Sequence, residues 1–103
     1  MRIYTDGVFD LFHFGHSNVF NQIKLKYPEC HLIVGVNSDE DTLKYKGPVV
    51  LTYEERVKNI SSCKYIDEIL SDVPWVITEE FMNKNNIDYI ARESAPYVSK
   101  DTD

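Results

Sequence analysis

Short apolar runs recur along this chain and are separated by segments with helical spacing. Four of these runs are rich in isoleucine, valine and tyrosine and are bounded by turn residues, as is typical of buried strands. They are RIYT (2–5), HLIVGV (31–36), YIDEIL (65–70) and IDYIA (87–91). Because the runs alternate with helical segments, the pattern predicts an α/β fold with a parallel sheet and crossover helices.

The segments between the runs carry helix signals. In GHSNVFNQIKLKY, the apolar residues that fall on one face of a helix are Val19, Phe20, Ile23 and Tyr27. TYEERVKNISS begins with Thr52 and has Glu55 three residues later, the pattern of a capping box. TEEFMNKNN begins similarly with Thr78, and Phe81 follows three residues later. The sequence therefore predicts a helix in each segment, and the pair Thr52 and Glu55 is interpreted as structural.

Length and composition limit the class of protein. The chain has 103 residues, of which 43% are hydrophobic and 27% charged, as expected for one globular domain covering residues 1–103. No stretch approaches the roughly 20 apolar residues of a membrane-spanning helix, and the start MRIYTDG lacks the apolar part of a signal peptide. Cys30 and Cys63 have neither disulfide-framework nor CxxC spacing. We therefore expect a soluble cytoplasmic protein without a membrane-spanning segment.

The charge balance limits the partners. Asp and Glu outnumber Lys and Arg by 17 to 11, which gives a net charge of −6. Because a general binder of nucleic acid or of anionic membranes needs a broad basic surface, we expect no nucleic-acid partner. A local site for a small anion stays open.

The stretch HFGH, residues 13–16, carries two of the three histidines and follows the first predicted strand. In parallel sheets, ligands gather beyond the carboxyl ends of the strands, where loops meet helix N-termini. Three interpretations of His13 and His16 are open: a metal site, two solvated loop histidines, and an anion site. A metal site would need a third ligand, and neither cysteine has the spacing of a zinc ligand. We therefore expect no metal site built by the protein.

The anion interpretation has a physical mechanism. Gly15 would let the backbone approach a ligand closely, because glycine carries no side chain. The helix that follows would direct its free N–H groups and the positive end of its dipole at that ligand. Histidines in this position could donate hydrogen bonds to phosphate oxygens and neutralise developing negative charge. The residues alone therefore favour an anion site.

A series of segments gives the chain a wider resemblance. In chain order they are YTDGVFDLFHFGH, LIVGVNSDE, YKGPVV, TYEERVKNI, KYIDEIL, PWVIT, and IDYIA with the later PY. Their order and spacing resemble those of the choline-phosphate cytidylyltransferase family, within the nucleotidyltransferases whose hallmark is HxGH. The resemblance extends from Ile3 to Tyr97. It implies a Rossmann-like parallel sheet.

The resemblance also implies a reaction and its partners. Members of the family join phosphocholine to CTP, which gives CDP-choline and pyrophosphate in phosphatidylcholine synthesis, with Mg²⁺ on the triphosphate. From the resemblance we therefore expect CTP and phosphocholine as substrates, Mg²⁺ as the cofactor that accompanies CTP, and a homodimer.

Several residues match functional positions of the family. His13, His16 and Lys46 match catalytic positions, where the histidines hold the triphosphate and the lysine bridges the two reacting phosphates. The implied nucleotide-binding residues are Gly7, Val8, Phe9, His13, Gly15 and His16. The implied phosphocholine-binding residues are Asp6, Trp75, Arg92 and Tyr97.

The choline assignment has its own chemical reason. A quaternary ammonium cannot donate a hydrogen bond and is held best by aromatic faces and a carboxylate. Asp6, Trp75 and Tyr97 match the family positions that supply these groups, and we interpret them as a choline cage. Without the resemblance, Lys46 would be interpreted as a solvated loop lysine and Trp75 as a core residue.

Two further residues have open interpretations. Asp10 could act in the site or cap the turn in which it lies. Arg56 could reach the nucleotide side of the site or lie on the exposed surface of its helix.

Three features depart from the family pattern. Arg92 stands where histidine is usual, and a cation near a trimethylammonium is unfavourable unless its side chain turns away, which leaves phosphoethanolamine or another phospho-alcohol open. Lys64 stands where arginine is usual, next to the family's dimer contact. The chain ends at Asp103, before the RTxGIST-type motif and the last strand of the family. We therefore expect either an excerpt of a longer protein or an inactive, truncated domain that binds phosphocholine.

Overall fold

The computed structural model of the protein describes residues 1–91 and the backbone of residues 98–99. In chain order the elements are β1 (Arg2–Gly7), α1 (Phe14–Lys26), β2 (His31–Asn37), α2 (Asp39–Tyr45), α3 (Tyr53–Ser61), β3 (Glu68–Val73), α4 (Glu79–Lys84), β4 (Tyr89–Ala91) and β5 (Val98–Ser99). They form one sheet with the strand order β3-β2-β1-β4-β5. Strands β1 to β4 are parallel, and β5 is antiparallel to β4. The predicted Rossmann-like α/β fold is confirmed, and strand β5 and the short helix α2 add to it.

Strand β3 begins three residues later than the apolar run YIDEIL predicts. Two turn hydrogen bonds explain the shift, from the Cys63 N–H to the Ile60 carbonyl at 3.0 Å and from the Ile66 N–H to the Cys63 carbonyl at 3.2 Å. The apolar side chains of Tyr65 and Ile66 still pack against the core, but from a turn. Periodicity alone does not distinguish a packed turn from a strand.

Apolar side chains cover both faces of the sheet. On one face the strand residues Ile3, Leu32, Val34 and Val36 pack with residues of α1 and α3, namely Phe20, Ile23 and Ile60. On the other face the cluster contains Tyr4, Ile33, Val73, Ile77, Met82, Ile87 and Ile90. Successive residues of a strand point to opposite faces, so a strand between two helical layers must be apolar throughout.

The strand order reverses at β1, and this positions the site. Strands β2 and β3 extend the sheet on one side of β1, and β4 lies on its other side. In open parallel sheets, ligands bind beyond the carboxyl ends of the strands at such a reversal. The loop that follows β1, residues 8–13, therefore lies where the fold favours binding.

Among the helices of the described residues, none is both long and apolar enough to cross a lipid bilayer.

Candidate active site

Two histidines build the turn that holds HFGH. His13 is the N-cap residue of α1, and its Nδ1 accepts a hydrogen bond from the Gly15 N–H at 2.9 Å. The Nδ1 of His16 accepts from the His13 N–H at 3.1 Å. Since a neutral imidazole carries a single N–H, each ring must then hold that proton on Nε2. The donor atom of both rings is therefore Nε2.

Gly15 is required by the ring of His13. A Cβ at this position would lie 2.7 Å from the Cε1 atom of His13 and 3.0 Å from its Nδ1. A side chain here would push the imidazole off the helix terminus and break the cap. Within the protein, Gly15 thus makes room for the His13 ring, and the close approach of a ligand at this glycine stays a prediction.

Aromatic contacts fix the plane of His16. Its ring stacks on Phe12 with centroids 5.5 Å apart and an angle of 11°, and it meets the edge of Phe9 at 5.7 Å. The ring centroids of His13 and His16 are 4.1 Å apart. Phe9 is buried and lies against Gly7, where a Cβ would come within 2.9 Å of the Phe9 ring. His16 is therefore held by packed rings as well as by its hydrogen bond.

The larger cavity at this edge of the sheet has a volume of about 660 Å³, and we call it the Lys46 cavity. The predicted site residues in its wall are Gly7, Val8, Phe9, His16, Lys46 and Trp75. The structure thus brings one histidine, the lysine and the tryptophan to a single cavity.

A smaller cavity of about 220 Å³ adjoins it, and we call it the Asp6 cavity. Asp6, His13 and Gly15 line it, and it shares Phe9 and His16 with the Lys46 cavity. Asp6 and Trp75 therefore line different cavities. Since Tyr97 and Arg92 lie outside the described residues, the choline cage stays a prediction.

Tyr4 supports Asp6 from inside the core, a contact that no motif in the sequence indicates. The Tyr4 side chain is fully buried, and its hydroxyl donates to Asp6 Oδ2 at 3.3 Å. Burial, reinforced by the Asp6 carboxylate, raises the pKa of Tyr4 far above its usual range. A Cβ at Gly35 would lie 2.1 Å from the Tyr4 hydroxyl oxygen, so only glycine leaves room for it.

Helix α2 presents Lys46 and supports Trp75. Lys46 is the C-cap residue, and its N–H and that of Gly47 both donate to the Thr42 carbonyl at 2.8 Å. Gly47 has a φ of +148°, a conformation that side chains disfavour. Tyr45 stacks on Trp75 with centroids 5.3 Å apart and an angle of 21°. The end of one helix thus positions both a cation and an aromatic face.

Arg56 is fully buried, so its exposed-surface interpretation is wrong. Its Nη1 donates to the carbonyls of Val8 at 2.8 Å and Asn37 at 2.9 Å, and its Nη2 pairs with Asp39 Oδ1 at 2.5 Å. The guanidinium therefore joins the loop after β1, the end of β2 and the start of α2. Its spacing of four residues from the buried Ile60 was the signal in the sequence that it lies on the inner face of α3.

The described residues contain no group of three or more histidine, cysteine, aspartate or glutamate side chains that could hold a metal ion. Cys30 and Cys63 are both free thiols, one buried and one half-buried. The donors that the site does present, imidazole Nε2–H and an ammonium, suit an anion rather than a cation.

Comparison with known proteins identifies relatives that are cytidylyltransferases. A family model described as cytidylyltransferase-like matches residues 4–103. Choline-phosphate cytidylyltransferase 2 of Arabidopsis thaliana is 47% identical over 98 residues, 95% of this chain and 32% of that protein. Choline-phosphate cytidylyltransferase of Saccharomyces cerevisiae is 48% identical over 103 residues, 100% of this chain and 24% of that protein.

More distant relatives act on another phospho-alcohol by name. Ethanolamine-phosphate cytidylyltransferase of A. thaliana is 41% identical over 105 residues, 98% of this chain and 24% of that protein. The chain spans about a quarter to a third of the length of these curated relatives.

A solved structure has the same fold. The crystal structure of the lipopolysaccharide core biosynthesis protein from Thermoplasma volcanium GSS1 matches with a TM-score of 0.73 and 22% identity. The match covers 87% of this chain and 71% of that chain. At this level of identity the likeness concerns the fold alone.

Proposed function

This chain belongs to the cytidylyltransferase-like family, and from that premise we propose that it forms CDP-choline and pyrophosphate from CTP and phosphocholine. The histidine turn is the observation that carries the proposal, because both rings have their donor at Nε2 and His16 lies in the wall shared by the two cavities. The higher identity to choline-phosphate than to ethanolamine-phosphate enzymes supports phosphocholine as the second substrate.

In the proposed reaction, a phosphate oxygen of phosphocholine attacks the α-phosphorus of CTP. The bond between the α-phosphorus and the oxygen that bridges the α- and β-phosphates breaks, and its electron pair leaves with pyrophosphate. The Nε2–H groups of His13 and His16 donate to triphosphate oxygens and stabilise the charge that develops on them. The Lys46 ammonium offsets the repulsion between the two phosphate groups. Alignment and charge stabilisation supply the catalysis, so no side chain is needed as a covalent nucleophile.

Trp75 supports choline as the alcohol. Its indole ring lines the Lys46 cavity and is held in place by the stack with Tyr45. A trimethylammonium group over such a ring gains about 0.5–2 kcal/mol. Asp6 supplies a negative charge in the adjoining cavity, and we keep Asp6, Trp75 and Tyr97 as the proposed choline-binding residues.

We propose that Mg²⁺ enters with CTP, since the described residues offer no cluster of ligands for an ion of their own. The ion would neutralise charge on the triphosphate. We also propose, from the resemblance to the family, that the protein is a homodimer of the cytoplasm. Sedimentation velocity at micromolar concentration tests the dimer, and fractionation of cells tests the compartment.

Replacement of His16 tests the catalytic proposal. We expect His16→Ala to lower kcat for CDP-choline formation by about 100- to 1000-fold, the usual cost of removing one donor to developing negative charge. His31→Ala is the matched control, because His31 pairs with Glu68 at the opposite edge of the sheet. We expect the control to stay within threefold of the parent per folded molecule.

Equal activities of the two histidine variants would refute the role of His16. If the parent protein used phosphoethanolamine as efficiently as phosphocholine, the proposed nucleotidyl transfer would stand, but the choice of phosphocholine as its substrate would be wrong.

A further inference from the structure

Asp10 connects two loops that are distant in the sequence. Its Oδ2 accepts a hydrogen bond from the Val50 N–H at 2.8 Å, and its Oδ1 accepts from the Leu51 N–H at 2.9 Å. Asp10 belongs to the loop between β1 and α1, whereas Val50 and Leu51 belong to the loop between α2 and α3. Both carboxylate oxygens are therefore engaged with the backbone of the second loop.

The second loop, residues 46–51, is fixed at its other end by helix α2. There the N–H groups of Lys46 and Gly47 donate to the Thr42 carbonyl. Between the two anchors, Gly47, Pro48 and Val49 line the Lys46 cavity. The loop thus forms one wall of the cavity, with Lys46 at one end and Asp10 at the other.

The carboxylate is well suited to this contact. The backbone N–H groups of Val50 and Leu51 lower the pKa of Asp10, so the side chain is ionised at neutral pH. The next N–H group along the chain, that of Thr52, has a different acceptor and donates to Glu55 Oε1 at 2.9 Å. Without Asp10, the N–H groups of Val50 and Leu51 would lose their carboxylate acceptor, and this end of the loop would lose its hydrogen bonds to the loop between β1 and α1.

We propose that Asp10 is a positioning residue. It holds the second loop, residues 46–51, against the turn formed by residues 13–16, so that Lys46 and His16 face the same phosphate groups. This inference rests on the proposed function for the identity of the ligand. Asp10 also lines the Lys46 cavity, but both of its carboxylate oxygens accept backbone N–H groups of the second loop, so its proposed role is to act through Lys46 rather than on the reacting atoms. We call the two hydrogen bonds from Val50 and Leu51 to this carboxylate the Asp10 clamp, because they hold the two loops together.

The first test compares Asp10→Asn with Glu54→Gln. The amide that replaces the carboxylate has one acceptor oxygen and an NH₂ group that faces an N–H donor, so at least one of the two bonds is lost. Glu54→Gln removes the same charge from an exposed side chain in the first turn of α3. We expect kcat/KM for CTP to fall about 10- to 100-fold in Asp10→Asn, because small displacements of aligned groups are that costly. The control should match the parent.

A double-mutant cycle with Lys46→Ala separates positioning from direct contact. If Asp10 acts through the lysine, Asp10→Asn should change kcat/KM less than about threefold in the Lys46→Ala background. A full 10- to 100-fold loss in that background would overturn the proposal, because it would show that Asp10 acts independently of Lys46.

Val50→Pro supplies a second variant, which keeps the carboxylate and removes one donor. We expect it to lower kcat/KM in the same direction as Asp10→Asn. Normal kinetics in Val50→Pro, together with a strong defect in Asp10→Asn, would assign Asp10 to the substrate and overturn the clamp.

Amide hydrogen exchange tests the clamp without any substrate. In Asp10→Asn the Val50 and Leu51 amides should exchange at least tenfold faster than in the parent, while the Thr52 amide, which Glu55 holds, keeps its rate. Unchanged exchange at Val50 and Leu51 would overturn the proposal. Because this measurement needs no activity, a parent protein that fails to make CDP-choline would count against the proposed function alone.

Discussion

Each histidine of the HFGH turn uses one ring nitrogen for the backbone and presents the other as a donor. The hydrogen bonds from the Gly15 and His13 N–H groups to the two Nδ1 atoms fix the tautomer of the rings. A side chain that only filled the N-cap, such as serine, would satisfy the helix but present no second donor. Histidine at positions 13 and 16 therefore caps the helix and leaves a second donor for the anion that the proposed function requires.

The aromatic ring at position 75 gives a prediction about substrate choice. Trp75→Leu should bring the affinities for phosphocholine and phosphoethanolamine together, because leucine retains apolar contact but offers no π face to the trimethylammonium. In the parent, phosphocholine should bind several-fold more tightly. Competitive titration of both ligands measures the preference.

Lys46→Gln is the matched control for that titration. It should weaken both ligands to a similar extent, because both carry the same phosphate group. A preference for phosphocholine that persists in Trp75→Leu would assign choline recognition to other residues.

Some residue roles could be inferred from the sequence and others could not. His16 follows the first predicted strand, so its place beside a cavity could be inferred from the sequence, whereas Lys46 and Trp75 are assigned to the site only through the family resemblance; all three line the same cavity. The support of Asp6 by Tyr4 depends on the space that Gly35 leaves in the neighbouring strand, and a single sequence does not show which side chains meet across a sheet.

The loop between β1 and α1 contains two residues in the left-handed region, Phe9 with a φ of +54° and Leu11 with a φ of +53°. For residues with a Cβ, this conformation costs about 1–2 kcal/mol. Phe9 contributes buried ring contacts in return, whereas Leu11 is 56% exposed. The loop thus carries backbone strain next to the histidine turn.

Glycine at position 11 should relieve that strain. We expect Leu11→Gly to leave the free energy of unfolding unchanged or to raise it by up to about 1 kcal/mol, since the relief of strain offsets the greater freedom of glycine in the unfolded chain. Leu25→Gly is the control, because Leu25 is similarly exposed but lies within α1, where glycine should cost about 1 kcal/mol. Urea denaturation measures both, and equal losses in the two variants would contradict the strained conformation.

The elements themselves follow from local signals where these agree with packing. The capping box of Thr52 and Glu55 is present at the start of α3 as predicted, and Thr78 accepts the Phe81 N–H at the start of α4. The start of β3 is missed because the turn before it is as apolar as a strand. Pairing with β2, which no periodicity reports, decides where that strand begins.

The two edges of the sheet carry different chemistry. At the carboxyl ends lie the cavities, and at the amino ends lie ion pairs: Glu68 Oε1 is 2.9 Å from His31 Nε2 and 3.2 Å from Arg2 Nη2. Lys24 and Asp67 form a further pair at 2.5 Å. The edge opposite the candidate site therefore holds ion pairs that connect β1, β2 and β3.

This edge predicts a dependence of stability on pH. The hydrogen bond from His31 lowers the pKa of Glu68 below 4.5, and Arg2 adds to this against the opposing effect of burial. A lowered carboxyl pKa stabilises the folded state above pH 4.5, and the contribution disappears as the pH falls through the folded pKa. Glu68→Gln should thus be less stable than the parent at neutral pH, and the difference should vanish as the solution becomes acidic enough to protonate Glu68 in the folded protein.

Thermal unfolding along a series of buffers from neutral to acidic pH measures that difference, with Glu29→Gln, at an exposed position in the turn between α1 and β2, as the control for the loss of a carboxylate. A gap between parent and Glu68→Gln that stays constant over the series would contradict the charged contact.

At the scale of the molecule, the parallel sheet and the end of it at which the cavities lie could be predicted, because alternating strands and helices allow few topologies. The division of the site into two cavities could not. It depends on the rings of Phe9 and His16, which form the wall between them, and their orientation comes from packing within one loop.

The buried guanidinium of Arg56 has a consequence for genetics as well as for structure. Three segments that meet at the site, near Val8, Asn37 and Asp39, depend on this one side chain. A shorter residue would leave the carbonyls of Val8 and Asn37 and the carboxylate of Asp39 without the guanidinium that now pairs with them. The free energy of unfolding would fall, and the protein would unfold at a lower temperature. We therefore expect an allele with Arg56→Ala to encode a temperature-sensitive protein, which is folded at low temperature and unfolds at temperatures that the parent tolerates.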